Sequence, residues 1–374
     1  ADIKMGVILG FTGPIESLTP DMGGSAEVAF KEASDSGLLL GGQKIVSVRA
    51  DSTCIDNAAA TAAAERLVTA EKVAGIMGAD CSGVTTAVAN NVAVPNGVPM
   101  ISPSATSPAL TTIADNGYFF RTAPSDARQG QVLASITVER GITSVAVTYV
   151  NSDYGKGLSD SFGKAFQALG GTVTISVPHE TGKADYSAEV ASMDSAGGDA
   201  MAVFGYVNQG GPGIMQASLD SGSFDKFILA DGMYGDDLLT NVEGDLTGTF
   251  GTVPGTDSKG AATYADMANA AGLKGSGPFT GESYDAAALL ILAMQSAGST
   301  DGAAIASNVM GVANAPGEKI MPGELAKGLR ILANGGAVDY VGATNVELTG
   351  VGEASGSYRE FEIRNKAFQT VRFR

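Results

Sequence analysis

Residues 145–177 read VAVTYVNSDYGKGLSDSFGKAFQALGGTVTISV. Val145 to Val150 is a β-branched run suited to a strand, Leu158 to Leu169 carries a helical pattern, and Val173 to Val177 is a second strand. Gly170-Gly171 ends the helix, because glycine adopts the left-handed conformation that closes a last turn. A strand, a helix and a strand in direct succession call for parallel pairing with the helix on one face of the sheet.

The same grammar extends in both directions. Downstream come a helix at Ser187 to Ala196, a strand at Met201 to Gly205, a helix at Gly213 to Ser221 and a strand at Phe227 to Ala230. Upstream, Ile3 to Leu9 and Lys44 to Ala50 read as strands around a helix at Met22 to Ser36. A helix from the N-cap Asp56 to about Glu71 follows, then the strand Val73 to Met77, a helix through Thr85 to Val92 and the strand Val98 to Ser102. The alternation breaks near Tyr118 to Ser125 and near Thr247 to Gly255. These breaks divide an α/β chain into two doubly wound parallel-sheet lobes: residues 1–121 with 252–337, and residues 122–251 with 338–374. The expected hinge has three segments, the third around Ala337 to Thr344. Helices at Ala261 to Ala271, Tyr284 to Ala297 and Gly323 to Leu332 are expected to pack back on the first lobe. The tail from Tyr358 to Phe373 reads as a hairpin around Arg364-Asn365-Lys366.

The chain has 374 residues, enough for two sizeable cores. No apolar run approaches the roughly 18 residues of a membrane span. A net charge of −17 argues against nucleic acid or an anionic membrane surface as partner. Cys54 and Cys81 are the only cysteines, and each follows a strand-like run. Neighbouring parallel strands would bring these ends together, so a Cys54–Cys81 disulfide in an oxidising compartment is expected, with two buried thiols as the other reading.

Enzyme motifs are largely absent. There is no phosphate-binding G-x-x-x-x-G-K-[ST], no G-x-G-x-x-G after the first strand and no G-x-S-x-G elbow. The single histidine, His179, reads as a solvated loop residue, and Asp236-Asp237 lacks metal-ligand spacing. No metal or cofactor is implied.

Ligands of open parallel sheets gather beyond the carboxyl ends of the strands. There the first lobe places Cys81-Ser82-Gly83 and, in the stretch ISPSATSPAL (Ile101 to Leu110), Ser104-Ala105-Thr106. Pro108 after Ser107 suits a helix start, whose free N–H groups beside hydroxyls would cradle a carboxylate. The second lobe places Tyr154, Tyr206 and Asp231. An anion grip on one wall facing an acid on the other describes a zwitterion site. Asp231 before Gly232 reads equally well as a turn residue, and the two tyrosines as packing aromatics.

In order and spacing, GFTGP (10–14), the two cysteines, DCSG (80–83), ISPSATSP, DYGKG (153–157), FGY (204–206), ADG (230–232) and SYDAA (283–287) resemble a known family. It is the type I periplasmic substrate-binding proteins of ABC transporters for branched-chain and other amino acids. The resemblance covers essentially the whole chain. It implies a non-enzymatic, monomeric receptor in the periplasm, in mature form without its signal peptide, that closes by hinge motion on a small amino acid and delivers it to a membrane permease. It implies that Ser82, Ala105 and Thr106 hold the ligand carboxylate, that Tyr154 and Tyr206 close over it, and that Asp231 takes the ammonium. Cys81, Ser104, Leu18 and Tyr284 complete the expected pocket. The chain departs from leucine-type members at Leu18, where they carry an aromatic, at Ser104, where a glycine is usual, and at Asp231, where a glutamate is usual. A different small carboxylate, amine or amide, such as γ-aminobutyrate, urea or an aromatic acid, is the alternative ligand. A hydrolase using Asp231 or Ser82 is the alternative class.

Overall fold

The protein is described here by a computed structural model covering residues 1–374. Strands β1 (Ile3–Leu9), β2 (Ile45–Asp51), β3 (Ile76–Gly78), β4 (Met100–Ser102) and β5 (Phe119–Pro124) form one parallel sheet in the order β5-β4-β3-β1-β2. Strands β6 (Ser144–Val150), β7 (Thr172–His179), β8 (Ala200–Phe204), β9 (Phe227–Leu229) and β10 (Phe250–Pro254) form a second parallel array in the order β10-β9-β8-β6-β7. The two arrays repeat one topology. In each, the chain reverses its direction of winding between the first and third strands, at β1/β3 and at β6/β8. A crevice opens beyond the carboxyl ends of the strands at such a reversal.

The remaining strands are β11 (Glu318–Ile320), β12 (Val338–Tyr340), β13 (Glu353–Ala354), β14 (Tyr358–Arg364) and β15 (Ala367–Phe373). Short β13 adds to the edge of the first sheet beside β5, whereas β14 extends the second sheet antiparallel to β10, with β15 antiparallel to β14 at its edge. Asn365 and Lys366, both at positive φ, turn the expected hairpin. As expected, helix Thr280–Ala297 packs on helix Thr19–Ser36 of the first lobe. Of its residues, Thr280 and the run Glu282 to Gln295 are buried, so its apolar character on all sides suits a central position.

Several boundaries differ from the sequence reading. The stretches at 119–124 and 250–254 are full strands that carry the chain up to two crossings, at Ser125 and at Gly255–Asp257. The third crossing lies at Ser355–Ser357 rather than near residue 337. β12 pairs with β11, the Tyr340 hydroxyl donates to Asp285 Oδ1 at 2.6 Å, and Glu353 binds Arg121 at 2.5 Å. Those long-range contacts keep residues 338–354 with the first lobe. The ISPSATSPAL turn leads into a single 3₁₀ turn, Pro108–Thr112, capped by Ser107, and not into a longer helix. His179 is a buried residue at the end of β7, its Nδ1 2.8 Å from the Thr148 hydroxyl, and not a solvated loop residue. Burial lowers its pKa to about 4, so the ring is neutral.

Candidate ligand site between the lobes

The two crevices face each other and the lobes are closed over them. Asn208 of the second lobe donates its N–H to the Pro14 carbonyl at 2.9 Å and accepts from the Ser17 N–H and hydroxyl at 3.0 and 2.8 Å. The cavity between the lobes has a volume of about 30 Å³. Of the residues singled out in the sequence, Leu18, Cys81, Ser82, Ser104, Tyr154, Tyr206 and Asp231 line it. Ala105 and Thr106 are buried immediately beside Ser104 without lining it. Tyr284 is elsewhere: its hydroxyl donates to Glu32 at 2.6 Å and its ring packs on Tyr264. Ile15, Met22, Asp80 and Phe279 line the cavity as well, and the sequence reading missed them.

The first-lobe wall is rich in hydrogen-bonding groups. A disulfide joins Cys54 to Cys81, with Cα atoms 5.1 Å apart. β1 stands between the parent strands β2 and β3, so the bridge ties two loops that arch over its end; the strands are not direct neighbours. Asp80 is buried beneath, accepting from the Gly10 N–H at 2.6 Å and the Ser52 hydroxyl at 2.7 Å. Burial raises its pKa, and those hydrogen bonds oppose the rise. The helix Ser82–Val88 begins at the cavity, and Ser82 Oγ accepts the Ser107 N–H at 3.1 Å, fixing the two loops against each other.

The second-lobe wall is acidic and aromatic. Asp231 begins a one-turn helix after β9. A Cβ on the following residue, Gly232, would lie 2.4 Å from the Gly205 carbonyl oxygen, so glycine is required for the turn to sit this close to β8. The Tyr154 hydroxyl donates to Asp231 Oδ1 at 2.9 Å and accepts the Gly232 N–H at 3.1 Å. Tyr154 and Tyr206 stack with ring centroids 5.3 Å apart. Behind Asp231, Gln129 Nε2 donates to Asp231 Oδ1 at 2.9 Å and to Asp126 Oδ1 at 2.6 Å, and Asp126 Oδ2 lies 2.7 Å from the Thr106 hydroxyl. Burial raises the pKa of both carboxyls, and the charge of Asp231 adds to the rise at Asp126. Neither Asp126 nor Gln129 was singled out in the sequence; their only signal there was a position just past the first crossing.

Residues 2–325 match a family model described as periplasmic binding protein. The chain is 30% identical over 306 residues to Leu/Ile/Val-binding protein homolog 1 of Brucella abortus, covering 80% of each sequence. It is 29% identical over 325 residues to Leu/Ile/Val-binding protein homolog 3 of Brucella melitensis, covering 83% of each. Its fold is similar to the crystal structure of the branched-chain amino acid transporter substrate-binding protein LivJ of Streptococcus pneumoniae, determined with isoleucine. The TM-score is 0.82 at 22% identity, with 100% of this chain and 99% of that one covered.

Proposed function

The chain belongs to the periplasmic binding protein family, and from that premise we propose that it is the solute-binding receptor of an ABC uptake system. It captures a small aliphatic α-amino acid between its lobes and delivers it to a membrane permease. The observation that carries this reading is the pairing of walls across one cavity between the lobes. Hydroxyls and a helix start belong to the first lobe, and the doubly anchored Asp231 belongs to the second.

In this reading Ser82 and Ser104 provide the carboxylate grip, backed by the buried Ala105 and Thr106, and Asp231 receives the ammonium. The stacked Tyr154 and Tyr206 cover the ligand, while Cys81 holds its loop through the disulfide. The side chain would lie among Ile15, Leu18, Met22 and Phe279. With Asp231 a methylene shorter than glutamate, its carboxylate stands further back, and Gln129 and Tyr154 hold it there. Micromolar affinity corresponds to about −8 kcal/mol, and charge-assisted hydrogen bonds of roughly 1.5–3 kcal/mol each supply most of it. The closed form is selected because only there do both walls reach one ligand. Action as a monomer in the periplasm follows from the same reading.

A thermal-shift screen of amino acids, amines, amides and small carboxylates tests it, followed by calorimetry. Aliphatic α-amino acids should stabilise the protein and be recovered unchanged after denaturation. Stabilisation only by amines, amides or aromatic acids would move the ligand to another class, and ligand breakdown on long incubation would make the protein a hydrolase.

A further inference from the structure

The buried chain Thr106–Asp126–Gln129–Asp231–Tyr154 contains two carboxyls joined through one amide, and its hydrogen-bond directions can be followed. Gly232 gives its N–H to the Tyr154 oxygen, so the Tyr154 proton belongs to Asp231. Thr252 donates to Gln129 Oε1 at 3.0 Å, so the Gln129 NH₂ points at both acids. Asp231 thus receives two donors whose direction is set, which suits a carboxylate. At Asp126 only the Gln129 bond has a set direction, because a hydroxyl such as that of Thr106 can donate or accept.

No cation in the network is free to balance a second charge. Arg121 is the nearest guanidinium, but its Nε and Nη2 bind Glu353 Oε2 and its Nη1 binds the Ala105 and Ser107 carbonyls. The other titratable or charged groups facing Asp126 are Asp231, Tyr154, Tyr206 and Tyr358, with Arg128 on its own helix; Tyr358 gives its hydroxyl to the Ser125 carbonyl at 3.3 Å. Two buried carboxylates this close, without a free counter-charge, cannot both remain ionised at low cost.

We propose that Asp126 carries a proton and is a neutral positioning residue: its Oδ2–H donates to Thr106 Oγ1, while its Oδ1 accepts from Gln129. The single negative charge of the pair then resides on Asp231. Gln129 is thereby held in the orientation that presents Asp231 to the cavity. Burial and the neighbouring Asp231 charge, which raise the Asp126 pKa, act in the same direction. What the network serves, an ammonium held at Asp231, rests on the receptor reading above; the location of the proton does not.

The infrared difference between wild type and Asp126→Asn at pH 7, without ligand, reads the proton directly. Loss of a protonated carboxylic-acid carbonyl band in the variant is expected, whereas loss of a carboxylate band would overturn the proposal. Binding of L-valine by calorimetry reads the positioning. Asp126→Leu should weaken it about tenfold or more, and the neutral isostere Asp126→Asn should restore it to within about threefold of wild type. An Asp126→Asn variant that is folded by circular dichroism but as weak as Asp126→Leu would mean that Asp126 acts as an anion, and would also overturn the proposal. If wild type does not bind L-valine or any other α-amino acid, the receptor reading fails on its own and the infrared result still decides the protonation.

Discussion

Glu282→Gln should make the protein more stable at neutral pH and hardly change it in acid. Glu282 lies on the central helix, only 6% exposed, where the three crossings meet. Thr122, Pro124, Pro254 to Thr256 and Ser355 to Ser357 surround it, and the Thr122 hydroxyl holds its backbone carbonyl at 2.8 Å. Burial pushes its carboxyl from 4.5 up to about 8; its own backbone N–H opposes the rise, Asp285 adds to it, and Arg359 offsets part of it.

A carboxyl whose pKa is raised by folding binds a proton more tightly in the folded state. Its contribution is therefore complete below the unfolded value near 4.5 and is lost as pH rises through about 8. At 1.36 kcal/mol per unit, the loss at pH 7 is about 3 kcal/mol, of which about 2 kcal/mol develops between pH 5 and 7. Glutamine is neutral in both states and lacks this slope, while the other buried acids contribute to both proteins and cancel in the comparison. Urea unfolding of the ligand-free proteins, followed by circular dichroism because the chain has no tryptophan, should show the advantage of Glu282→Gln growing by about 2 kcal/mol from pH 5 to 7. An advantage constant within about 0.5 kcal/mol over that range would refute the reasoning, since a carboxyl ionised in both states gives no such slope.

Three other outcomes are expected. Asp231→Ala should weaken amino-acid binding about 30-fold or more, because the ligand ammonium would be left in a desolvated site; Thr106→Ala should cost less, and calorimetry finding Asp231→Ala within about threefold of wild type would reduce Asp231 to a turn former. Replacing both Cys54 and Cys81 with alanine should lower stability by about 3.5 kcal/mol, the chain-entropy value for a bridge between residues 27 positions apart, and alkylation of unreduced protein followed by mass spectrometry should modify neither cysteine in the wild type. Small-angle scattering should give a smaller radius of gyration with ligand than without, because the Asn208 bridge to Pro14 and Ser17 forms only when the lobes meet; an unchanged radius at confirmed saturation would contradict closure.

Both sheets were legible because their central strands are short apolar runs that alternate with helical patterns bounded by glycine and capping residues. The hinge strands were not, since Arg121, Thr122 and Thr252 interrupt their apolar pattern. All three are buried, and each is satisfied by a partner more than a hundred residues away: Glu353, the Glu282 carbonyl and Gln129. Local pattern carries no record of such partners, and the third crossing was misplaced for the same reason. Its position depends on β12 pairing with β11 and on Glu353 reaching Arg121.

The site divides along the same line. Strand-end residues such as Ser82, Tyr154, Tyr206 and Asp231 could be located because topology alone sends every strand's carboxyl end toward the crevice. Phe279 arrives from outside that scheme, at the start of the central helix with a positive φ of 61°, while Tyr284 on the same helix faces Glu32 instead. Gln129 and Asp126 are hidden further still, because they act on Asp231 and Thr106 from behind. The cavity wall follows from strand order, whereas the groups that set its charge depend on contacts between residues about a hundred positions apart, such as Gln129 with Asp231 and with Thr252. Perturbing Gln129 or Asp126 should therefore alter affinity or its pH dependence while the two sheets stay intact, and changes at the strand ends should remove contacts to the ligand itself.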